Sequence, residues 1–366
     1  MDPQTAMSEP TVKNSNALIS VAAVIVIVYG MQAAKVLIVP FLLAIFIALM
    51  TVRPMLWLQS HRVPSVIAAL LIVLILMLGL TGVGLIVGSS IAEFTAALPG
   101  YQARLGTIVQ GALEIAASYM DDGTDAGTTI TGLTDLLNPG WAMGLAAGLL
   151  NALRDVLTNT FLILFTMVFI LLEASSIGTK VQAAFGRRGR SLHQARKFLN
   201  DLGRYLGIKT AVSMVTGLLA GILTWAIGLD FPLLWGMLAF VLNYIPTIGS
   251  IIAAIPPILM AIMQFGPAEA STTAIGFLAI NVVFGNILEP RIMGYGVGIS
   301  PLVVFIGLVF WGWVFGPVGM LLAVPLTMTL KLGLESDERS RWIAVLIGSE
   351  RDAEHALQKQ ADGTTG

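Results

Sequence analysis

Long apolar runs separated by short polar stretches dominate this chain of 366 residues. A membrane-spanning helix needs roughly 20 apolar residues. The run Ala17–Met50 is long enough for two such helices, and its polar interruption at residues 30–35 marks a turn between them. Ser65–Val87 predicts a third span and Asn151–Glu173 a fourth. The pattern therefore predicts an all-α polytopic membrane protein.

The polar regions between the spans differ in charge, and the difference indicates an orientation. Residues 89–150 are rich in acidic side chains, and residues 121–132 (DDGTDAGTTITG) have the composition of a loop. Residues 174–209 carry eight Lys or Arg and a single acid. Since cytoplasmic loops are enriched in Lys and Arg, we expect residues 174–209 and the N-terminus to lie in the cytoplasm and residues 89–150 to lie outside.

Within the basic segment, apolar residues recur at helical spacing from Leu192 to Leu206, with Arg and Lys between them. This spacing predicts an amphipathic helix lying on the inner leaflet of the membrane. The alternative is a cytosolic helix packed under the membrane domain. A fifth span, Leu206–Gly228, follows and is expected to run from inside to outside.

Two later apolar stretches are interrupted by Pro and Gly in nearly the same way. The first is broken at residues 243–249 and again at Pro256–Pro257, and the second is broken at residues 312–319 and at Pro325. Another span, Ser271–Leu288, separates them. The distance from the Pro that opens each stretch to the Gly after its break is 17 residues in the first and 18 in the second. This similarity indicates an internal repeat.

Each repeat unit consists of one span and one broken stretch. If each broken stretch returns to the side from which it entered, each unit crosses the membrane once and the two units are inverted. Inverted repeats with discontinuous helices are typical of secondary transporters, which bind substrate near the bilayer midplane, where the broken tips meet. Irregular backbone at that depth must be buried in protein or line a cavity. The breaks therefore predict two re-entrant hairpins whose freed backbone groups bind a polar solute.

The alternative is that Pro256 and Pro325 merely kink two packed spanning helices. Under the hairpin interpretation, the residues expected along the substrate path are Asn243, Pro246, Gly249, Pro256, Gly316, Pro317, Gly319 and Pro325. The fold class is then an all-α membrane protein of about eight segments, including two broken hairpins in an inverted repeat. The chain divides into a tail (1–16), a four-span region (17–173), the basic segment (174–205), a transport core (206–331) and a second tail (332–366). Both tails are expected to be cytoplasmic.

Polar residues inside the apolar core are candidates for solute contact or coupling. Glu289 and Arg291 flank Pro290 at the end of a span, and ionisable groups at membrane depth are costly and often functional. Together with Asn286 they are candidates for coupling or gating; the alternative is an interfacial ion pair that fixes the loop. Asn243 is the best candidate for a direct solute contact. Asn281 and Asn286 are expected to form hydrogen bonds between helices.

Composition supports the membrane class and excludes several others. The chain is 56% hydrophobic and 11% charged, with a mean hydropathy of +0.87, whereas soluble domains carry about 25% charged residues. It has no cysteine, and its three histidines lie outside the long apolar runs. No phosphate-binding loop, metalloprotease motif or nucleophile elbow is present. We therefore expect no enzyme activity, cofactor or metal site, and a first apolar run that is retained rather than cleaved as a signal peptide.

Four stretches carry a family resemblance: NYIPTIGSIIAAIP (243–256), LEPRIMG (288–294), ISPLVV (299–304) and GPVGMLLAVPLT (316–327). They resemble the autoinducer-2 exporter family of bacterial membrane proteins. The resemblance implies an eight-segment fold in the inner membrane, export or exchange of small solutes, and a homo-oligomer, a pentamer. This chain departs from the common family pattern at two places. Many relatives have His where this chain has Ser300. Many also have a Glu near the position of Phe284, whereas the acid near the loop proline Pro290 is here Glu289.

These observations lead to three functional hypotheses. The first is a secondary transporter that exports a small polar solute such as autoinducer-2 by alternating access. The second is a Na⁺(Li⁺)/H⁺ antiporter in the same fold, since the resemblance implies that some relatives exchange these ions. The third is a channel-like pore or membrane scaffold. The expected partners are the solute, H⁺ or Na⁺ as a coupling ion, membrane lipid and further copies of the chain, but no nucleic acid.

Overall fold

The structure is a computed structural model that describes residues 11–119, 148, 158–185, 190–293, 298–335, 340–349 and 354. Within these ranges every regular element is a helix, which confirms the all-α class. The helices are α1 (Thr11–Ala33), α2 (Lys35–Ser60), α3 (Ser65–Tyr119), α4 (Thr160–Phe185), α5 (Arg190–Ile227), α6 (Pro232–Leu242), α7 (Ile248–Gln264), α8 (Pro267–Ile280), the π-helix π1 (Asn281–Leu288), α9 (Glu289–Met293), α10 (Pro301–Phe315), α11 (Pro317–Leu321), α12 (Ala323–Glu335) and α13 (Arg341–Ile347).

Four helical stretches of the described residues are long and apolar enough to cross a membrane. They are Lys35–Ser60, Ser65–Phe94, Lys197–Ile227 and Pro267–Met293. Shorter apolar helices, α6, α7 and α10 among them, accompany these four. Many Leu, Ile, Val and Phe side chains on the outer faces are exposed, as expected where lipid replaces water. The protein is therefore a multi-pass membrane protein.

Of two predicted span boundaries, one coincides with a boundary between helices and the other does not. The α1–α2 boundary falls at Ala34, inside the predicted interruption. The helix α3 does not end with the predicted third span at Val87 but continues to Tyr119. Its acidic continuation still consists largely of good helix formers, and one internal proline, Pro99, does not end it. The predicted loop at residues 121–132 lies outside the described residues.

The basic segment also continues into its neighbours. The first residues of the predicted fourth span lie outside the described residues, and α4 runs past Glu173 to Phe185. The helical spacing predicted after Leu192 is confirmed, but the prediction of a separate interfacial helix is wrong, since α5 runs unbroken from Arg190 to Ile227. No proline interrupts this stretch, so nothing in the backbone ends one helix and starts another.

The first broken stretch forms a closed helical hairpin, here called hairpin A (Pro232–Gln264), whose apex is residues 243–247. At its base, the N–H of Asp230 donates to Oε1 of Gln264 at 3.2 Å. The two ends of the hairpin therefore lie side by side. Near the apex the arms touch: a Cβ added to Gly249 would lie 1.8 Å from the carbonyl oxygen of Leu242. Only glycine permits this approach.

The second broken stretch folds in the same way and is called hairpin B (Pro301–Glu335), with its apex at Gly316, where φ is +70°. At its base, Lys331 Nζ donates to the carbonyl of Gly298 at 2.6 Å. A Cβ added to Gly319 would lie 1.9 Å from the carbonyl oxygen of Trp311. In both hairpins the glycine meets the carbonyl of the tenth residue after the opening proline. The predicted internal repeat thus has an equivalent in the packing of the two hairpins.

The two hairpins start from opposite ends of α5. The base of hairpin A follows Ile227, the last residue of α5, after a four-residue turn. The base of hairpin B packs against the first half of α5 in an apolar cluster that includes Leu202, Leu206, Ile299, Val324 and Met328. The bases of the two hairpins therefore lie near opposite ends of α5.

The prolines within the second arms behave differently from the sequence prediction. The prediction of a second break at Pro256–Pro257 is wrong, because α7 runs through both prolines. Both are buried, and packing on all sides holds the helical backbone although two backbone hydrogen bonds are lost. In hairpin B the irregularity falls at Leu322, between α11 and α12. Pro325 lies in the first turn of α12, and its ring would clash with the carbonyl four residues earlier in a continuous helix.

Close packing of α5 on α6 fixes hairpin A to the first span of its repeat. A Cβ added to Gly217 would lie 2.7 Å from the carbonyl oxygen of Gly236, and the reverse distance is also 2.7 Å. Gly221, one turn further along α5, lies opposite the same part of α6. Small residues four apart allow such backbone contact between membrane helices. The crossing therefore anchors α6 against the second half of α5.

Candidate functional site

A buried amide marks the apex of hairpin A. Asn243 ends α6 and is only 5% exposed. Its Nδ2 donates to Oγ of Ser213 on α5 at 2.9 Å. Leaving either group unpaired in this apolar setting costs about 1–3 kcal/mol. The bond therefore ties the apex of hairpin A to α5, and it places the amide of Asn243 beside the hydroxyl of Ser213.

A second side-chain bond ties the apex to α5 one residue later. The Tyr244 hydroxyl donates to Oγ1 of Thr210 at 2.8 Å, and Thr210 donates in turn to the carbonyl of Leu206 at 2.7 Å. The Tyr244 ring packs edge-on against Phe46 and Phe240. The apex is thus held by two neutral hydrogen bonds, both to the same face of α5.

Most backbone N–H groups of the apex are already used within hairpin A. The N–H groups of Asn243, Tyr244 and Ile245 donate to carbonyls of α6, and those of Ile248 and Gly249 donate to carbonyls of the apex itself. Pro246, half-buried, supplies one of these carbonyls. The polar groups of the apex beyond these bonds are therefore mainly side-chain amides and hydroxyls, rather than the free backbone donors expected from the sequence.

A buried ion pair lies one turn of α5 away from this apex. Lys209 Nζ lies 2.6 Å from Oε1 of Glu289, and the two side chains are 5% and 16% exposed. The sequence suggested an ion pair involving the neighbouring Arg291, but the carboxylate pairs with Lys209 and Arg291 is exposed. Because Lys209 and Ser213 are four residues apart, they share one face of α5. The ion pair and the apex therefore form one polar face.

The π-helix π1 immediately precedes this carboxylate. Such segments are rare and occur frequently at functional sites, and they change the register of the residues that follow. Glu289 is the first residue after π1, so this register sets how its side chain meets α5. Within π1, the side chain of Asn281 lies over Gly285. A Cβ added to Gly285 would lie 2.7 Å from Oδ1 of Asn281. Asn286 is exposed and is not brought to the apex of hairpin A.

The apex of hairpin B lies beside a different helix. Three residues before Gly316, the carbonyl of Trp313 accepts a hydrogen bond from Gln32 Nε2 of α1 at 3.3 Å. The Trp313 ring also contacts Tyr29, with ring centroids 6.0 Å apart. Pro317 is exposed. Hairpin B thus contacts α1 through Trp313, next to its apex, whereas Asn243 at the apex of hairpin A contacts α5.

A polar cluster closes the base of hairpin A. The Tyr101 hydroxyl of α3 donates to Oδ2 of Asp230 at 2.6 Å, and the Gln264 amide donates to the same carboxylate. Partial burial, followed by the hydrogen bond to Asp230, raises the pKa of the Tyr101 hydroxyl. The cluster holds the long helix α3 against the ends of both arms.

Among the described residues, no three His, Asp or Glu side chains come together as metal ligands.

Sequence reasoning missed the α5 side of this site. Lys209 was counted with the basic segment, and Thr210 and Ser213 were passed over inside an apolar span. The available signal was their spacing, since Lys209, Ser213 and Thr216 recur at three and four residues and so share one helix face. The pair Gly217 and Gly221 is a small-residue motif that likewise predicts a close helix contact.

Known proteins resemble this chain over nearly its whole length. The sequence model of the AI-2E family transporter matches residues 18–336. The AI-2 transport protein TqsA of Escherichia coli is 39% identical over 93% of this chain and 98% of the relative. A putative transport protein of Haemophilus influenzae is 38% identical over 92% and 97%. The putative transport protein YhhT of E. coli is 32% identical over 94% and 97%. The similarity thus covers both hairpins and α5.

Proposed function

The chain belongs to the AI-2E family of transporters, and on that premise we propose that it exports a small polar solute of the autoinducer-2 kind across the bacterial inner membrane by alternating access. The observation that carries this proposal is the apex of hairpin A. There, the 5% exposed amide of Asn243 meets Ser213 inside an otherwise apolar helix bundle. The name of the relative TqsA supports the choice of solute.

Both hairpins are re-entrant under this proposal, and the chain has about eight membrane segments with cytoplasmic termini. Their entry from opposite ends of α5 supports the inverted arrangement. The moving part is the apex of hairpin A, because each of its two neutral hydrogen bonds to α5 contributes only about 0.5–1.5 kcal/mol. The glycine crossing at Gly217 and Gly236 serves as the pivot. The assembly is a homo-oligomer, a pentamer as the family resemblance implies.

The test is efflux of autoinducer-2 from proteoliposomes, with and without a pH gradient. We expect saturable efflux by the native chain and its loss in Gly249→Trp, which fills the contact between the arms. Gly333→Trp is the matched control, since nothing lies within 4 Å of a Cβ at Gly333. Ser213→Ala removes one partner of the apex without adding bulk, so it tests the hydrogen bond separately from the steric change in Gly249→Trp.

Other outcomes distinguish the alternatives. Efflux that never saturates with solute indicates a channel-like pore and contradicts alternating access. The absence of flux of any solute by the native chain indicates a scaffold. Equal efflux by the native chain and Ser213→Ala would show that the apex of hairpin A does not lie on the path.

The second candidate function is Na⁺(Li⁺)/H⁺ antiport, and the observation that favours it is the buried pair of Lys209 and Glu289. A buried carboxylate that changes partners can carry a proton through a transport cycle. The test is whether added Na⁺ or Li⁺ collapses a pH gradient across proteoliposomes, and whether Glu289→Gln abolishes this. Autoinducer-2 efflux whose pH dependence is the same in Glu289→Gln and the native chain excludes a coupling role for this residue.

A further inference from the structure

A small cavity with a mostly apolar lining lies among α5, α6, α7 and the junction of α8 with π1. Its volume is about 10 Å³. Three of its lining residues carry polar side chains, Thr216, Ser250 and Asn281, and each comes from a different helix. The remaining wall is apolar and includes Ala220, Ala239 and Phe277.

The hydroxyl of Thr216 distinguishes this cavity from an ordinary packing gap. Thr216 is 6% exposed, and among the described residues its Oγ1 is the one fully buried side-chain oxygen or nitrogen without a hydrogen-bond partner. Thr224, two turns further along α5, donates to the carbonyl of Ala220 at 2.9 Å in the usual way for a helical threonine. Burying an unpaired hydroxyl costs about 1–3 kcal/mol. The position of Thr216 therefore calls for a partner that enters the cavity.

The size and chemistry of the cavity define that partner. About 10–15 Å³ is the smallest space that holds one water molecule, and a buried water usually makes about three hydrogen bonds. The Thr216 hydroxyl supplies one of these bonds, and Ser250, whose hydroxyl also donates to the carbonyl of Thr247 at 3.3 Å, and Asn281 line the same space. A cation in an apolar wall needs more oxygen ligands than three and a compensating charge, and no ionised side chain lines the cavity. The partner is therefore one small neutral group that forms hydrogen bonds, such as a water molecule or a hydroxyl.

We propose that this cavity is the hydroxyl-recognition site of the transport path. It binds a single water molecule in the conformation described here, and a hydroxyl of the transported solute takes the place of that water when hairpin A moves. This inference rests on the proposed function and specifies it: the solute is neutral and carries hydroxyl groups. The location agrees, because Ser250 lies in the first turn of α7 directly after the apex, and Thr216 lies one turn along α5 from Ser213.

Transport kinetics of Thr216→Val test the site, since valine keeps the shape of threonine and removes only the hydroxyl. Thr224→Val is the matched control, because Thr224 lies on the same helix and its hydroxyl bonds its own backbone. With autoinducer-2 in proteoliposomes, we expect KM to rise by roughly three- to tenfold in Thr216→Val, the equivalent of one hydrogen bond. We expect the maximal rate to stay near native and KM in Thr224→Val to be unchanged.

A native KM in Thr216→Val, with the native chain active, overturns the recognition site while the proposed function stands. No saturable efflux by the native chain overturns the proposed function and this inference with it. An independent measurement is a high-resolution cryo-EM map of the native protein. Density for one water within about 3 Å of Thr216 Oγ1 is expected, and a cavity without density overturns the proposal whatever the transport result.

Discussion

Replacing Lys209 by Met is the change that most directly tests the buried ion pair beside hairpin A. The substitution keeps the length of the side chain and removes its charge. Glu289, 16% exposed, then remains without its cationic partner. Glu289→Gln instead leaves Lys209, which is 5% exposed, without its anionic partner. The double variant removes both charges.

The expected magnitude follows from the geometry. Unit charges 2.6 Å apart at an effective dielectric constant of about 20 attract each other by about 6 kcal/mol. Desolvation costs several kcal/mol for each ion and offsets most of that attraction, so the pair as a whole contributes little net stability. Removing one partner of a buried pair is different, because the other charge stays buried, and such changes cost about 3–5 kcal/mol.

Thermal unfolding of the detergent-solubilised protein measures these differences. We expect each single variant to lower Tm by roughly 5 °C or more, whereas the double variant unfolds close to the native temperature. The control is Lys180→Met, which breaks an exposed pair with Glu173, with side chains 63% and 52% exposed, and is expected to cost below about 1 kcal/mol. If Lys209→Met unfolds at the native temperature, or if the two single effects simply add in the double variant, the pair does not form as described.

Three further changes have defined outcomes. Gly249→Ala forces a Cβ against a carbonyl oxygen 1.8 Å away and should destabilise hairpin A by about 3 kcal/mol or more. The control Gly333→Ala should leave Tm unchanged or slightly raised. Equal Tm values for the two variants contradict the hairpin contact. Gly236→Leu should separate α6 from Gly217 of α5 and abolish efflux even where the protein remains folded, which size-exclusion chromatography checks. Tyr101→Phe should lower stability by up to about 1 kcal/mol at pH 8. Because folding raises the pKa of Tyr101 above its ordinary value of 10.0, this stabilisation is complete below pH 10 and disappears as the pH rises through the folded-state pKa, so the two Tm curves should converge there.

Local sequence determined the features that a short window of residues controls. The apolar runs specified helices, and the Pro and Gly residues at 243–249 and 312–319 marked where two of those helices turn back. The repeat spacing was visible because the same steric contact, a glycine against a carbonyl of the first arm, is required in each hairpin. Glu289 and Asn243 stood out because a polar group in an apolar run is costly unless it has a partner.

The same local signals failed where packing overrides them. The acidic residues after Val87 do not end α3, and no local signal separates Leu206 from the helix before it. Pro256 and Pro257 remain inside α7 because surrounding contacts hold the helix in spite of two lost hydrogen bonds. Helix ends in these places depend on the free energy of packing, which exceeds the small differences in intrinsic propensity.

The identity of the partners was decided only by the tertiary structure. Glu289 pairs with Lys209, 80 residues away, rather than with Arg291, two residues away, because π1 sets the register with which α9 meets α5. Asn243 meets Ser213 because the glycine crossing fixes α6 against α5. Thr216 lies beside a cavity only because several helices converge around it. The sequence alone thus determined which segments are helical and where the two hairpins turn back, while the choice of faces that pack together created the polar site.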